Sequence, residues 1–247
     1  MIFIAIASVA VVVTPPLGTV TGGPSGQPPA QAAGFRPTSN GLPTGCTHGG
    51  GRFHKHGPIR PKRIAIGFDD GPGDYTPKVL RLLRQYDSHA TFFEIGQEVP
   101  GREAIMKRVL AQGNEIGNHS LHHEIDPSSA SLAGTNRLIR RATGFEPCDF
   151  RPPDGRTNTD MVDRAHREGL VTVTWDVDPR DWADPGTATI ASNVINTARS
   201  GDIVVMHDGG GNRSQTVAAL PAILSHFRDL GYRFVTVAEL LGHTFTY

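Results

Sequence analysis

The chain has 247 residues, 38% hydrophobic and 19% charged, a balance that suits a globular core and excludes wholesale disorder. Lys plus Arg and Asp plus Glu each number 24, so no net positive charge steers the chain onto nucleic acid, and nucleic-acid binding is disfavoured.

Taken in chain order, the first feature is the apolar run Ile2–Val13, twelve residues long. It falls short of the roughly 20 needed to span a bilayer. It matches the core of a secretory signal peptide, with "AQA" at Ala30–Ala32 as a small-residue cleavage site, although no Lys or Arg precedes it. Residues 1–32 are therefore expected to be a signal peptide or a retained N-terminal anchor, which places the chain outside the cytoplasm, secreted or at the cell surface. Residues 33–61 form an expected flexible Pro/Gly-rich linker, and His48, His54 and His56 in "THGGGRFHKHG" are read as linker residues without a rigid frame. In an exported protein the two cysteines, Cys46 and Cys148, favour a disulfide over two free thiols. That bridge closes a loop of about 100 residues, worth about 4–5 kcal/mol in the chain-entropy model.

From residue 63 onward, short β-prone runs recur: 63–68, 90–95, 114–119, 149–151, 170–177, 202–207 and 233–240. Most are separated by segments with helical spacing. Pro77 opens the first of these, ahead of Val79, Leu80 and Leu83, and Gly169 and Gly231 follow two later ones as stop signals. Strands alternating with helices predict an α/β domain with parallel strands and crossover helices, either a barrel or an open doubly wound sheet.

In such folds chemistry collects at the carboxyl ends of the strands. There the chain carries "FDDGP" (68–72), "HSLHH" (119–123), "RPPDG" (151–155), "DVDPRDW" (176–182) and "MHDGGG" (206–211). Each motif alone has a bland reading: Asp-Gly-Pro is common turn chemistry, and His-rich stretches often bind nothing. Together, one Asp plus His119 and His123 offers three ligands with room for water, the donor set of a hydrolytic metal site, zinc being the first choice. The second Asp is then free to accept a proton. Glycosidase chemistry fits poorly, because its two carboxylates must flank a sugar bond.

Over residues 62–242 the sequence resembles the polysaccharide deacetylases with a NodB homology domain, carbohydrate esterase family four. That resemblance implies a single catalytic domain with a distorted (β/α)7 barrel. In "GFDDGP" it implies Asp69 as general base and Asp70 as metal ligand; in "HSLHH" it implies His119 and His123 as the other ligands, with His122 a bystander. In "RPPDG" Arg151 would orient Asp69, and the Asp154 backbone N–H would face the oxyanion. In "DPRDW" Asp181 would tune the catalytic histidine and Trp182 would line the groove. In "VMH" Val205 would sit beside the acetyl methyl, and His207 would be the general acid.

Three positions depart from the family pattern. Gly67 stands where Thr is usual, a change expected to affect only local packing. Asp154 stands where an aromatic is common, and Val205 replaces Leu. The implied function is hydrolytic removal of N-linked acetyl groups from an N-acetylglucosamine-type polysaccharide, peptidoglycan or chitin-like, with release of acetate. The implied cofactor is one divalent metal, zinc first, with cobalt, nickel or manganese compatible with the same ligands. A monomer is expected. The alternatives are an esterase removing O-acetyl groups from xylan or another glycan, and a non-catalytic glycan-binding surface protein.

Overall fold

The computed structural model describes residues 44–47 and 51–246. The apolar run 2–13, Ala30–Ala32, His48 and the Cys46 side chain lie outside the described residues. The strands are β1 (Thr44–Thr47), β2 (Phe53–His54), β3 (Arg63–Gly71), β4 (Thr91–Glu94), β5 (Glu115–Asn118), β6 (Phe145–Glu146), β7 (Asp149–Phe150), β8 (Val171–Val173), β9 (Ile203–His207), β10 (Arg233–Val235) and β11 (Thr244–Thr246). The helices are α1 (Thr76–Gln85), α2 (Glu103–Ala111), α3 (Ser129–Thr143), α4 (Thr159–Arg167), α5 (Thr187–Thr197), α6 (Ser214–Asp229) and α7 (Val237–Leu241).

Parallel ladders run in the order β2–β8–β7–β5–β4–β3–β9, and β10 lies along the first half of β3. The chain leaving β8 forms a parallel bridge from Val177 to Val204, where the Val205 N–H donates to the Val177 carbonyl at 3.0 Å. The circuit thus closes through one bridge rather than a regular ladder, the distorted barrel expected from the resemblance. A separate small sheet has the order β11–β1–β6.

Strand β3 shows how the sequence specifies two layers. Its side chains alternate. Ile64, Ile66 and Phe68 pack outward with Val79, Leu80 and Leu83 of α1 and Leu220, Ile223 and Leu224 of α6. Burial of each such side chain contributes about 1.5–3 kcal/mol. Ala65 instead belongs to the inner layer, with Phe93, Val171, Val173, Ile203 and Val235. The predicted helix signals hold: Pro77 lies in the first turn of α1, and Gly169 (φ 76°) and Gly231 (φ 78°) take the left-handed conformation just beyond α4 and α6.

Two expectations are corrected. The predicted strand over 233–240 ends at Val235, because the Thr236 hydroxyl accepts the Glu239 N–H and caps α7. The predicted linker over 33–61 is not wholly irregular, since Phe53 and His54 add a strand to the edge of β8, paired with Thr172 and Val173. Among the described residues no helix is long and apolar enough to cross a membrane.

Candidate active site

The carboxyl end of β3 carries adjacent carboxylates, and a β-bulge separates their directions. Asp69 pairs with Phe93 of β4, and the register then skips so that Gly71 pairs with Glu94. Asp70 is the extra residue, in the left-handed region at φ 70°. A bulge re-aims one side chain out of the strand alternation. Asp69 turns inward and is buried. Asp70 turns toward the histidine loop, where its Oδ1 lies 3.5 Å from His119 Nε2 and 3.4 Å from His123 Nε2.

That loop is held from below. The Asn118 side-chain amide donates to the Leu132 carbonyl (2.9 Å) and to Asn136 Oδ1 (2.7 Å), while Asn118 Oδ1 accepts the Ser120 N–H (2.8 Å). The Leu121 N–H donates to Ser131 Oγ at 2.9 Å. Ser120 and His123 take left-handed φ values of 66° and 59°. Among the described residues, every non-glycine residue with positive φ except Asp87 lies at this edge of the barrel: Asp70 at the bulge, and Ser120, His123, Asp154, Arg180 and Asp184 in the loops. Such conformations cost about 1–3 kcal/mol each and cluster at functional sites.

The three side chains fit a metal ion. Asp70 Oδ1 is buried with no hydrogen-bond partner, and one ligand atom from each of Asp70, His119 and His123 lies within 4.8 Å of the others. The oxygen-to-nitrogen separations of 3.4–3.5 Å approach the roughly 3.3 Å edge of a tetrahedron with ligands about 2.0–2.1 Å from zinc. His119 Nδ1 lies 2.7 Å from the Arg151 carbonyl, so it is the protonated nitrogen and Nε2 keeps its lone pair for an ion. Burial pushes the Asp70 carboxyl up, but the neighbouring His119, then His207 and His123, bring it down to about 2. His122 faces away from the set and pairs through Nδ1 with Gln97 Oε1 at 2.8 Å.

Arg151 is fully buried inside the barrel and donates to Asp69 Oδ1 at 2.8 Å. Its guanidinium carbon lies 4.0 Å from the centroid of the Phe93 ring. Burial lowers the guanidinium pKa, opposed chiefly by Asp69. Gly67 is part of this arrangement, beyond the local packing expected for it. A Cβ there would lie 2.5 Å from Arg151 Nη2, 2.6 Å from Cζ, and closer still to Nη1. Gly67→Ala is therefore expected to destabilise the fold by about 1–3 kcal/mol through overpacking, and to lower kcat more than KM by displacing the partner of Asp69. Denaturant midpoints and steady-state kinetics on the purified variant check both.

Opposite Asp69, β9 ends in His207. Its Nδ1 lies 2.8 Å from Asp181 Oδ1, and its backbone N–H donates to Asp181 Oδ2 at 2.9 Å. Asp181 is itself fully buried, and its Oδ2 accepts the Thr216 hydroxyl at 2.7 Å. Burial lowers the His207 pKa, but the hydrogen bond and charge of Asp181, then Asp69 and Asp70, outweigh it and raise the imidazole above its ordinary value.

Asp69, Asp70, His119, His123 and His207 line one cleft of about 460 Å³ together with Asp154, Arg156, Trp175, Asp178, Trp182 and Val205. Trp182 is 48% exposed with Arg180 stacked 5.1 Å from its ring, while Val205 is buried beside Gly67 in the β3–β9 ladder. Asp154 is exposed in a short turn at φ 56°. Every site residue expected from the sequence lies at this edge. The exceptions are the cysteines: Cys148 is buried and no free thiol occurs among the described residues, but the Cys46 side chain lies outside them. Trp175, Arg156, Asp178 and Thr216 were not anticipated. The alternation Val171, Val173, Trp175 would have pointed to the first, whereas nothing local marks Thr216, 35 residues from its partner Asp181.

An α/β barrel with an Asp-His-His group that could hold a metal ion, a buried carboxylate and a carboxylate-paired histidine at one strand edge has the layout of a hydrolytic site. Comparison with known proteins narrows this. A family model described as polysaccharide deacetylase matches residues 56–173. A peptidoglycan-N-acetylglucosamine deacetylase of Bacillus cereus is 48% identical over 194 residues, covering 75% of this chain and 91% of that protein. A chitooligosaccharide deacetylase of a Bradyrhizobium species is 33% identical over 198 residues, covering 72% and 90%. The crystal structure of the Bc1960 peptidoglycan N-acetylglucosamine deacetylase superposes with a TM-score of 0.75 at 29% identity, covering 79% of this chain and 95% of that one. The chain belongs to the polysaccharide deacetylase family and is an enzyme of carbohydrate deacetylation.

Proposed function

We propose that this enzyme hydrolyses N-linked acetyl groups of an N-acetylglucosamine-type polysaccharide, peptidoglycan or chitooligosaccharide, releasing acetate. The observation that carries the reading is the convergence on one cleft of a metal cradle, a buried carboxylate clamped by Arg151, and a histidine clamped by Asp181. The names of the relatives support an N-acetyl substrate.

Asp70, His119 and His123 would hold a divalent metal, zinc first among the candidates, and that ion would supply Lewis acidity toward water and the acetyl carbonyl. Asp69 accepts the proton of the attacking water, and Arg151 holds it oriented. The Asp154 backbone N–H faces the developing oxyanion. Val205 packs beside the acetyl methyl, and Trp182 offers an exposed ring to the sugar. His207 delivers a proton from Nε2 to the departing amine, because an amide anion is too basic to leave. Asp181 favours the imidazolium and fixes its orientation.

The sign of the pH dependence follows. A general acid works protonated, so a raised His207 pKa extends activity toward higher pH. Asp181→Asn removes the main source of that rise. It is expected to move the alkaline limb of kcat/KM to lower pH, as a pH–rate profile from 5 to 10 will report. The same pair stabilises the folded state fully at pH below the ordinary histidine value and loses that contribution as pH rises through the elevated one.

On this reading the enzyme acts outside the cytoplasm, where such polymers lie, with Cys46 and Cys148 bridged and residues 62–242 forming the catalytic domain. The strand register supports the bridge, since Gly45 pairs with Glu146, two residues before Cys148. Acetate release from N-acetylated chitooligosaccharides and peptidoglycan, compared with O-acetylated xylan, tests the reading. Release from xylan alone would favour the esterase, and release from none would favour the glycan-binding protein.

A further inference from the structure

Asp70 receives little support from its own strand. As the extra residue of the bulge it has no partner in the ladders that β3 forms with β4 and β9, and it stands in the left-handed region. Its two oxygens face different surroundings. Oδ1 turns to His119 and His123, at 3.5 and 3.4 Å. Oδ2 turns to the loop after β9, where a Cβ on Gly210 would lie 2.5 Å from it and 3.1 Å from Asp70 Cγ. One residue earlier the same loop presses on the backbone. A Cβ on Gly209 would overlap the carbonyl carbon and oxygen of Asp70, and the Gly209 N–H donates to the Asp69 carbonyl at 3.3 Å. The two glycines form a wall behind the carboxylate with no room for a side chain.

That wall has its own fastening. Arg213 is buried, and its Nε donates to the Gly209 carbonyl at 2.7 Å while its Nη2 donates to the Gly210 carbonyl at 3.1 Å. Such charge-assisted bonds are the stronger kind. From the other side, Asn212 Oδ1 accepts the Tyr75 hydroxyl at 2.8 Å and the Ser214 N–H at 3.0 Å, which ties the loop to the start of α1. Arg213 stands at the N-cap of α6, a place where short polar residues are preferred and a cation opposes the helix dipole. The first turn of α6 holds no acidic residue to offset that charge. The loop that Arg213 fastens accounts for its position, and the helix it precedes does not.

We propose that Arg213 and Gly210 are positioning residues for Asp70. Arg213 clasps the glycine loop against Oδ2, so that Oδ1 is the oxygen presented beside the two histidine Nε2 atoms. The inference rests on the metal reading of Asp70, His119 and His123 given above. Groups that fix the orientation of a metal ligand from behind commonly carry about 10–100-fold in metal affinity. Arg213 does not line the cleft that holds Asp69 and His207, so its influence on the ion passes through the loop.

The test needs no substrate. Full-length protein is stripped by a chelator and titrated with Zn²⁺ against a chromophoric competitor, and a second portion receives Co²⁺ for its visible spectrum. Arg213→Met is expected to weaken zinc binding by about 10–100-fold and to alter the cobalt bands, because Asp70 loses its fixed direction. Arg213→Lys, with a single ammonium in place of the planar fork, is expected to fall between the two. Gly210→Ala, with Arg213 intact, is expected to weaken zinc binding at least as much, since the methyl group meets Oδ2 and φ 69° disfavours a side chain. Tm of each metal-free protein is measured in parallel. A lower Tm in Arg213→Met with parent-like zinc affinity and cobalt bands would overturn the proposal and leave Arg213 a structural residue. Parent-like zinc affinity in Gly210→Ala would overturn it as well. A parent protein that binds neither ion would sink the metal reading itself, a result distinct from both.

Discussion

Replacing His207 by alanine lowers kcat by about 10²–10⁴-fold while leaving the bound metal at the level of the parent protein. The imidazole is tied to Asp181 at 2.8 Å, and the group that could hold a metal consists of Asp70, His119 and His123, so on the proposed mechanism the substitution removes the proton donor and none of the three ligands. Since an N-linked leaving group cannot depart unprotonated, the loss falls on kcat and kcat/KM together, and KM changes little. Metal analysis and steady-state acetate kinetics on the same preparation provide the check. Loss of metal in the variant would show that His207 belongs to the cradle instead.

The second large effect is expected at Arg151. Its side chain is fully buried and bonds Asp69 at 2.8 Å, so Arg151→Met leaves a buried carboxylate without its counter-charge. Breaking a buried ion pair from one side costs about 3–5 kcal/mol, which for a chain of this size lowers Tm by roughly 6–20 °C. Activity is expected to fall with it, because Asp69 loses the group that aims it. Metal binding survives: His119 is oriented by the Arg151 carbonyl, which the substitution does not touch. A variant that unfolds at a lower temperature, binds zinc and turns over slowly fits this account. Parent-like stability would mean that the pair contributes nothing measurable.

Much of this fold and site is legible in the sequence. The seven β-prone runs from 63 to 240 each contain a barrel strand, because strands buried on both faces leave continuous apolar runs that polar turns interrupt. The site was legible for a related reason, since costly polar clusters such as "FDDGP" and "HSLHH" stand at the ends of those runs. What escaped notice depends on contacts distant in sequence or on geometry without a composition signal. Thr216 reaches Asp181 from α6, and the bulge at Asp70 appears only when β3 is laid against β4. The role of Gly67 needed the position of Arg151, 84 residues away. The helix over 237–241 was missed although "TVAE" at 236–239 carries its capping signature, because Phe234, Val235 and Val237 read more strongly as strand.

The most direct test of the central claim is acetate release by protein stripped with a chelator, assayed before and after adding Zn²⁺, on N-acetylated chitooligosaccharides and peptidoglycan. The account predicts no release from the stripped enzyme and release restored by zinc at about one ion per chain. Equal release with and without metal would contradict it.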